Sequence, residues 1–279
     1  MEHRPSTFEF ETQAGQRFRF GDNWKSFLAV LTEARIAEAE RSLREMLETG
    51  SLAGNTFLDI GSGSGLFSLA ARRLGAKVHS FDFDPSSVWC TGELKRRYFP
   101  DDPDWTVAQG SILDAEDLKA LGGFDVVYSW GVLHHTGAMW TALDNVVPCV
   151  ADKGKLFLAL YNDQGRASRR WRAIKKAYCG ANRIGRGLIL AACFIRLWGP
   201  TTLRDLATLR PFRTWKAYAE SSRGMSPWTD VRDWVGGYPF EVSKPEEILE
   251  FYRARGFRLL RLKSSGGGHG CNEYVFERL

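Results

Sequence analysis

Cysteine is sparse in this chain of 279 residues: Cys90, Cys149, Cys179, Cys193 and Cys271 include no C-x-x-C pair and have no histidine at ligand spacing. That pattern excludes a disulfide framework and a structural zinc site, and it reads the thiols as reduced and mostly buried. Long hydrophobic runs are missing as well. The opening residues MEHRPSTFEFETQ carry Glu2, Arg4 and Glu9 with no apolar stretch, so neither a secretory leader nor an N-terminal anchor is expected, and the expected location is the cytoplasm. The apolar run Leu188–Trp198 is eleven residues long and interrupted by Arg196, too short for a bilayer that needs about 20. Nor is there a large excess of one charge: 38 Lys+Arg against 33 Asp+Glu leave +5, far from a polyelectrolyte. No internal repeat is visible.

Apolar material is plentiful. Hydrophobic residues make up 44% of the chain and charged residues 25%, enough to offset the ordering entropy of folding, so disorder is excluded as the main state. The length suits one large domain, or one domain carrying an insertion. From Trp24 through Phe27, Leu31, Ile36, Leu43 and Leu47, apolar positions recur near a period of 3.6, which predicts a helix stopped at Gly50. Strands and helices then alternate. Strands are expected at 56–60, 77–81, 105–108, 124–129 and 155–160, with helices at 65–74, 85–98, 114–121 and 139–147 between them. Such alternation implies a parallel, doubly wound sheet covered on both faces. It resumes with a helix at 245–255, a strand at 257–263, a glycine-rich turn and a last strand at 273–277. The turn of that final hairpin should lie at the carboxyl end of the parallel strands, the side on which open α/β sheets bind ligands.

Between these parts the composition changes. Residues 166–223 carry fourteen basic and two acidic side chains, a net +12, while the rest of the chain is −7. Half of the ten tryptophans fall in or just beyond this stretch. Four regions are therefore expected: a helical N-terminal cap (1–50), a ligand-binding core (51–165), a basic, Trp-rich helical insertion (166–240) and the end of the core sheet (241–279).

The run Asp59-Ile60-Gly61-Ser62-Gly63-Ser64-Gly65 follows a strand and opens a helix, so bare backbone can approach a ligand there. Leu66 stands where a dinucleotide fingerprint wants its third glycine. The acid Asp59 precedes the turn and suits a cation or ammonium group, which favours a positively charged ligand over NAD. Asp82, at the end of the second strand, stands where a carboxylate can accept both hydroxyls of a ribose.

These residues resemble the class I S-adenosylmethionine-dependent methyltransferases, over roughly Phe57–Leu160 and Pro245–Arg278. The resemblance implies a seven-stranded, Rossmann-like α/β sheet that ends in an antiparallel hairpin strand and carries a helical insertion after strand five. It implies S-adenosylmethionine as cofactor, with S-adenosylhomocysteine as product. The loop Asp59, Gly61, Ser62, Gly63 and Gly65 then meets the methionine part, Asp82 the ribose and Phe83 the adenine. Ser111 and Ile112 match the segment at the adenine edge, Ser111 standing where relatives often carry Asp, with Asp114 as a substitute partner. Ser129-Trp130-Gly131-Val132-Leu133-His134-His135 matches the segment after strand four, where the backbone passes the sulfonium.

A methyl group on positive sulfur is already activated, so the protein's task is to hold a nucleophile in line and exclude water. A hydroxyl acceptor has a proton to lose, which marks His134, His135 and His269 as candidate catalytic residues. Trp24, Tyr161, Asn162 and Tyr238 are candidate substrate contacts. The plan is similar to that of the ubiquinone-biosynthesis O-methyltransferases, whose insertion serves as a lid and meets the membrane. His134 replaces the acid of that branch, so no metal-ligand role carries over and no metal is expected.

The expected activity is methyl transfer to a small molecule, at an oxygen of an aromatic or amphipathic metabolite. The alternatives are tRNA or RNA methylation through the basic insertion, and a membrane-associated cofactor-binding protein without turnover. The Leu188–Trp198 stretch, flanked by Arg183, Arg186 and Arg204, could lie against anionic lipid or act as a packed lid. Nucleic acid is the less favoured partner, because no RNA-binding module accompanies the charge.

Overall fold

The computed structural model describes residues 7–210, 213–221, 227–266, 268 and 270–279. His269, one of the three candidate catalytic histidines, lies outside the described residues.

Five strands run parallel: β1 (Thr56–Ile60), β2 (Lys77–Asp82), β3 (Trp105–Gln109), β4 (Phe124–Trp130) and β5 (Val150–Tyr161). Two more, β6 (Phe257–Lys263) and β7 (Cys271–Arg278), form the final hairpin, and β7 pairs antiparallel with β5 and with β6. The order is β3-β2-β1-β4-β5-β7-β6, so the expected seven-stranded Rossmann-like sheet is present. Strand order reverses between β1 and β4, and the carboxyl ends there form the crevice that this topology offers to a ligand.

Three helices precede the sheet: α1 (Thr7–Gln13), α2 (Gly21–Ala29) and α3 (Glu33–Leu47). The single helix expected from Trp24 to Leu47 is thus two. Thr32 is extended (φ −126°, ψ 157°), and the break lets α2 pack on one neighbour and α3 on another. The second helix ends before Gly50, with Glu48 in the left-handed region at φ 51°. Between strands lie α4 (Leu66–Arg73), α5 (Pro85–Tyr98), α6 (Ala115–Leu121) and α7 (Met139–Val146). The strand expected at 155–160 begins earlier, at Val150, because a bulge next to β4 lets pairing resume beyond the turn. After β5 come α8 (Arg166–Gly180), α9 (Arg183–Ala207), α10 (Arg213–Ser221), α11 (Pro227–Gly236) and α12 (Pro245–Arg253).

The pleat sends successive residues to opposite faces, and neighbouring pairs show it. Phe57, Val126 and Phe157 enter one core with Ile36, Leu43, Leu69 and Trp105. Leu58, Val127 and Leu158 enter the other with Leu143, Tyr252 and Phe276. A third apolar cluster joins Trp171, Tyr178, Leu190, Trp198, Val231, Val235 and Phe240, from α8, α9, α11 and the segment after them. Among the described residues no helix is long and apolar enough to cross a membrane.

Candidate active site

The turn after β1 is shaped by three left-handed glycines, Gly61, Gly63 and Gly65, at φ of 77°, 57° and 80°. L residues pay for that conformation, so the turn needs glycine. A Cβ at Gly65 would stand 2.8 Å from the Thr91 backbone, and one at Gly63 would stand 3.2 Å from the Trp24 indole nitrogen. Trp24 therefore lies over the turn itself. Ser62 shares a 2.8 Å hydrogen bond with Thr91, and the Gly61 and Ser62 N–H groups donate to the Phe81 carbonyl. The loop is fastened to β2 and α5.

Two carboxylates flank it. Asp82 accepts the Gly63 N–H at 2.9 Å and the Asp84 N–H at 2.8 Å. Each oxygen retains lone pairs for further donors. Asp59 is 2% exposed and accepts from Ser68, at the end of a buried chain in which the Trp105 indole donates to Ser80 and Ser80 to Ser68. Burial raises Asp82 to about 6 and Asp59 to about 7, the charge of Asp82 adding to the rise at Asp59. Neither has a cationic partner among the described residues. A positively charged ligand would supply one.

Phe83, just past Asp82, has Phe8 against its edge (ring centres 5.5 Å apart) and the Arg17 guanidinium over its face at 5.0 Å. Arg17 also pairs with Glu11 and donates to the carbonyls of His135 and Thr136. The N-terminal segment is thereby strapped across from β2 to the loop after β4. Ser111 is half-buried and Ile112 buried, at the end of β3. Asp114 is exposed and accepts the Asp117 N–H, which gives it the role of helix cap at the start of α6. Ser129 donates to the Ile60 carbonyl and ties β4 to β1 below the loop. Trp130 is half-buried, and Gly131 (φ 77°) has open space where a Cβ would stand.

His134 and His135 occupy a turn of 3-10 helix after β4, both buried. His135 Nδ1 lies 2.6 Å from the Pro239 carbonyl oxygen. A carbonyl only accepts, so Nδ1 carries the proton and Nε2 keeps its lone pair. His134 is the reverse: its Nδ1 accepts from the Tyr161 N–H, so its proton is on Nε2, which is buried without a partner among the described residues. Burial pushes His135 down to about 3 and His134 well below the usual histidine range, with nearby Lys175 adding to both. Both rings are neutral at physiological pH. The pair presents one donor and one acceptor, not a strong base.

Tyr161, at the end of β5, has its ring centre 4.0 Å from that of His134 and 5.4 Å from those of His135 and Phe240. With Trp171, Trp234 and Phe240 it lines a small crevice of about 10 Å³, room for one water molecule. Asn162 lies at the mouth of the crevice and accepts from Asn272, which in turn accepts from Ser265 in the final hairpin. The hairpin turn is therefore held at the carboxyl end of the parallel strands, as expected. Tyr238 is half-buried, and its carbonyl accepts the Phe18 N–H at the edge of the third cluster.

Lys175 is one of the fourteen basic residues of the insertion, yet it is fully buried. It lies on the inward stripe of α8 with Ser168, Trp171, Tyr178 and Cys179, while Arg169, Arg170, Arg172 and Lys176 face outward. The signal was in the sequence: Trp171, Lys175 and Tyr178 share one helical face, and positions 169, 170, 172 and 176 lie off it.

A doubly wound sheet with a glycine turn at its switch point, an acid at the end of the next strand and a covered crevice beyond defines a nucleotide-cofactor α/β enzyme fold. The chain belongs to a methyltransferase-domain family, whose family model matches residues 31–226. Among curated relatives, the tRNA U34 carboxymethyltransferase of Pseudomonas savastanoi pv. phaseolicola is 36% identical over 110 residues, 38% of this chain and 33% of that protein. The ribosomal protein L11 methyltransferase of Anoxybacillus flavithermus is 30% identical over 119 residues, 38% of each chain. The chain thus spans about a third of the length of the curated relatives it matches. Among solved structures, magnesium protoporphyrin IX methyltransferase from Synechocystis PCC 6803 with bound SAH is similar at a TM-score of 0.50 and 14% identity, over 100% of this chain and 90% of that one. PKMT2 from Rickettsia typhi, in complex with AdoHcy, gives 0.54 at 13% identity, over 86% and 52%.

Proposed function

We propose that this chain transfers a methyl group from S-adenosylmethionine to an oxygen of a small aromatic or amphipathic molecule. The reading rests on Asp59, which is buried, and Asp82, which is half-buried, two carboxylates without cationic partners among the described residues beside a turn built of left-handed glycines. That donor set fits a ligand that is cationic at one end and carries hydroxyls at the other. The cofactor, when bound, supplies a methyl group activated by positive sulfur.

The chain's own residues then have separate tasks. Asp82 accepts the ribose hydroxyls with its remaining lone pairs, Phe83 flanks the adenine, and the Gly61–Gly65 turn and Gly131 let the backbone come close. Trp24 and the strap carrying Arg17 keep water out. His134 donates to the acceptor oxygen and orients the nucleophile; positioning supplies most of the rate. Tyr161 walls the crevice.

Calorimetry tests the cofactor half. Wild-type protein should bind S-adenosylmethionine, and Asp82→Ala should lose at least about tenfold in affinity, since hydrogen bonds to a charged group contribute about 1.5–3 kcal/mol. Undiminished affinity removes the assignment. Labelled cofactor with a cell extract then identifies the product.

The exposed side of α9 supports peripheral contact with an anionic membrane as a further part of this proposal. RNA methylation is the second reading, favoured by the relative that acts on tRNA and by the outward basic face of α8. Steeply salt-dependent tRNA binding would support it, and no shift at low salt would exclude it.

A further inference from the structure

A buried lysine is costly unless something offsets its charge. The Lys175 ammonium donates to the Trp234 carbonyl and lies 4.1 Å from the Trp234 ring and 4.7 Å from the Phe240 ring. Carbonyl and ring faces offset part of that cost. No carboxylate lies within ion-pair distance of it among the described residues. The acids of α11 are engaged elsewhere: Asp230 takes the Tyr218 hydroxyl, and Asp233 takes the Asn23 amide. Glu241 accepts the Met139 N–H. The neighbours that face Lys175 are Cys179 on its own helix, Cys193 on α9, and His134 and His135 after β4. None of them is an anion near neutrality, since burial raises both thiols and lowers both imidazoles.

A cation with no counter-charge and a buried imidazole N–H with no partner among the described residues therefore lie against one aromatic group, Lys175 on Trp234 and Phe240 and His134 on Tyr161, and those three rings with Trp171 line the small crevice beside them. We infer that the acceptor site takes an acidic molecule, a phenolate or carboxylate on a flat apolar body, with its anionic oxygen paired to Lys175. The inference rests on the methyltransferase reading and narrows its substrate class. It also accounts for the weakness of both histidines as bases. An oxygen that arrives ionised has no proton to give up: its lone pair forms the bond to the methyl carbon, the carbon–sulfur bond breaks toward sulfur, and the opposite charges cancel.

The test compares 2-naphthoate with its neutral counterpart 2-naphthamide, read by quenching of tryptophan fluorescence. Wild-type protein should bind the carboxylate at least about tenfold more tightly than the amide near pH 6, a difference of about 1.4 kcal/mol. Burial lowers Lys175 to about 7, so the preference should fade toward pH 9 as the ammonium loses its proton. Asp233, raised to about 7, titrates in the same range, and Lys175→Met separates the two. That variant should bind both probes alike, and its thermal midpoint should rise because an unbranched apolar side chain replaces a buried charge.

Equal binding of the probes by the wild type, a preference that survives in Lys175→Met, or no binding of either by folded protein overturns the inference. The pH dependence of the wild type decides the matter if the variant does not fold. S-adenosylhomocysteine titrated into the same samples separates the two readings. S-adenosylhomocysteine binding without a carboxylate preference sinks the acidic acceptor alone. Carboxylate preference without it leaves the anion site and sinks the methyltransferase reading.

Discussion

A Cβ at Gly61 would overlap the methyl carbons of Val132, and the residue's φ of 77° is one that L residues adopt at a cost of about 1–2 kcal/mol. Gly61→Ala should therefore weaken cofactor binding and lower the thermal midpoint by about 2–4 °C for each kcal/mol lost. Adding Val132→Ala should restore part of the loss, because it removes the overlap but not the backbone strain. Calorimetry and thermal unfolding of the single and double variants check this; a double variant no better than the single would show that the two loops do not press on each other. The glycines and Asp82 were legible in the sequence because a turn that opens a helix after a strand restricts residue type so narrowly. Lys175 was not, since a count of charges ignores which side of α8 each one faces. The same holds for Arg17, which besides Glu11 reaches the carbonyls of His135 and Thr136, more than a hundred residues away.

At the scale of elements, β1 to β4 were readable to within a residue, because burial on both faces makes each a short, mostly apolar run, whereas β5 begins five residues early at its bulge. The helices after β5 were harder. The eleven-residue apolar stretch belongs to a helix of 25 residues, α9, which is apolar on both sides. Leu190, Cys193 and Trp198 turn inward to the third cluster, while Ile184, Leu188, Ile195 and Leu203 turn outward and are 68% to 76% exposed. Arg183, Arg186, Arg196 and Arg204 flank the outward stripe. Exposed apolar side chains bordered by arginine suit an anionic lipid surface, to which each nearby basic residue contributes about 1 kcal/mol. Wild-type protein should float with vesicles of phosphatidylcholine and phosphatidylserine. Leu188→Asp with Ile195→Asp should leave it in the dense fraction at an unchanged thermal midpoint, since surface substitutions typically alter stability by less than about 0.5 kcal/mol. Flotation of the double variant equal to wild type would show that α9 is not the contact.

For the whole molecule, the raised carboxyls link folding, pH and ligand. Asp59 and Asp82 hold their protons more tightly in the folded protein than in the unfolded chain. Their contribution to the stability of the ligand-free protein is thus fully present below about pH 4 and is lost as pH rises through about 6 to 7. Binding a cation demands the ionised forms, so ligand affinity runs the opposite way and grows over that interval. A ligand present at about a hundred times its dissociation constant adds about 2.7 kcal/mol, some 5–10 °C in a chain of this size. The gap between the thermal midpoints with and without S-adenosylmethionine should therefore widen from about pH 5.5 to about pH 8. Lys175 and Asp233 also titrate in this range, but their effects on folding enter both measurements and largely cancel in the difference. With Asp59→Asn and Asp82→Asn combined, the gap should be small and independent of pH. A wild-type gap that stays constant across the interval would mean that the ionised forms of these two acids do not hold the cofactor, and the site would have to be rebuilt around other residues.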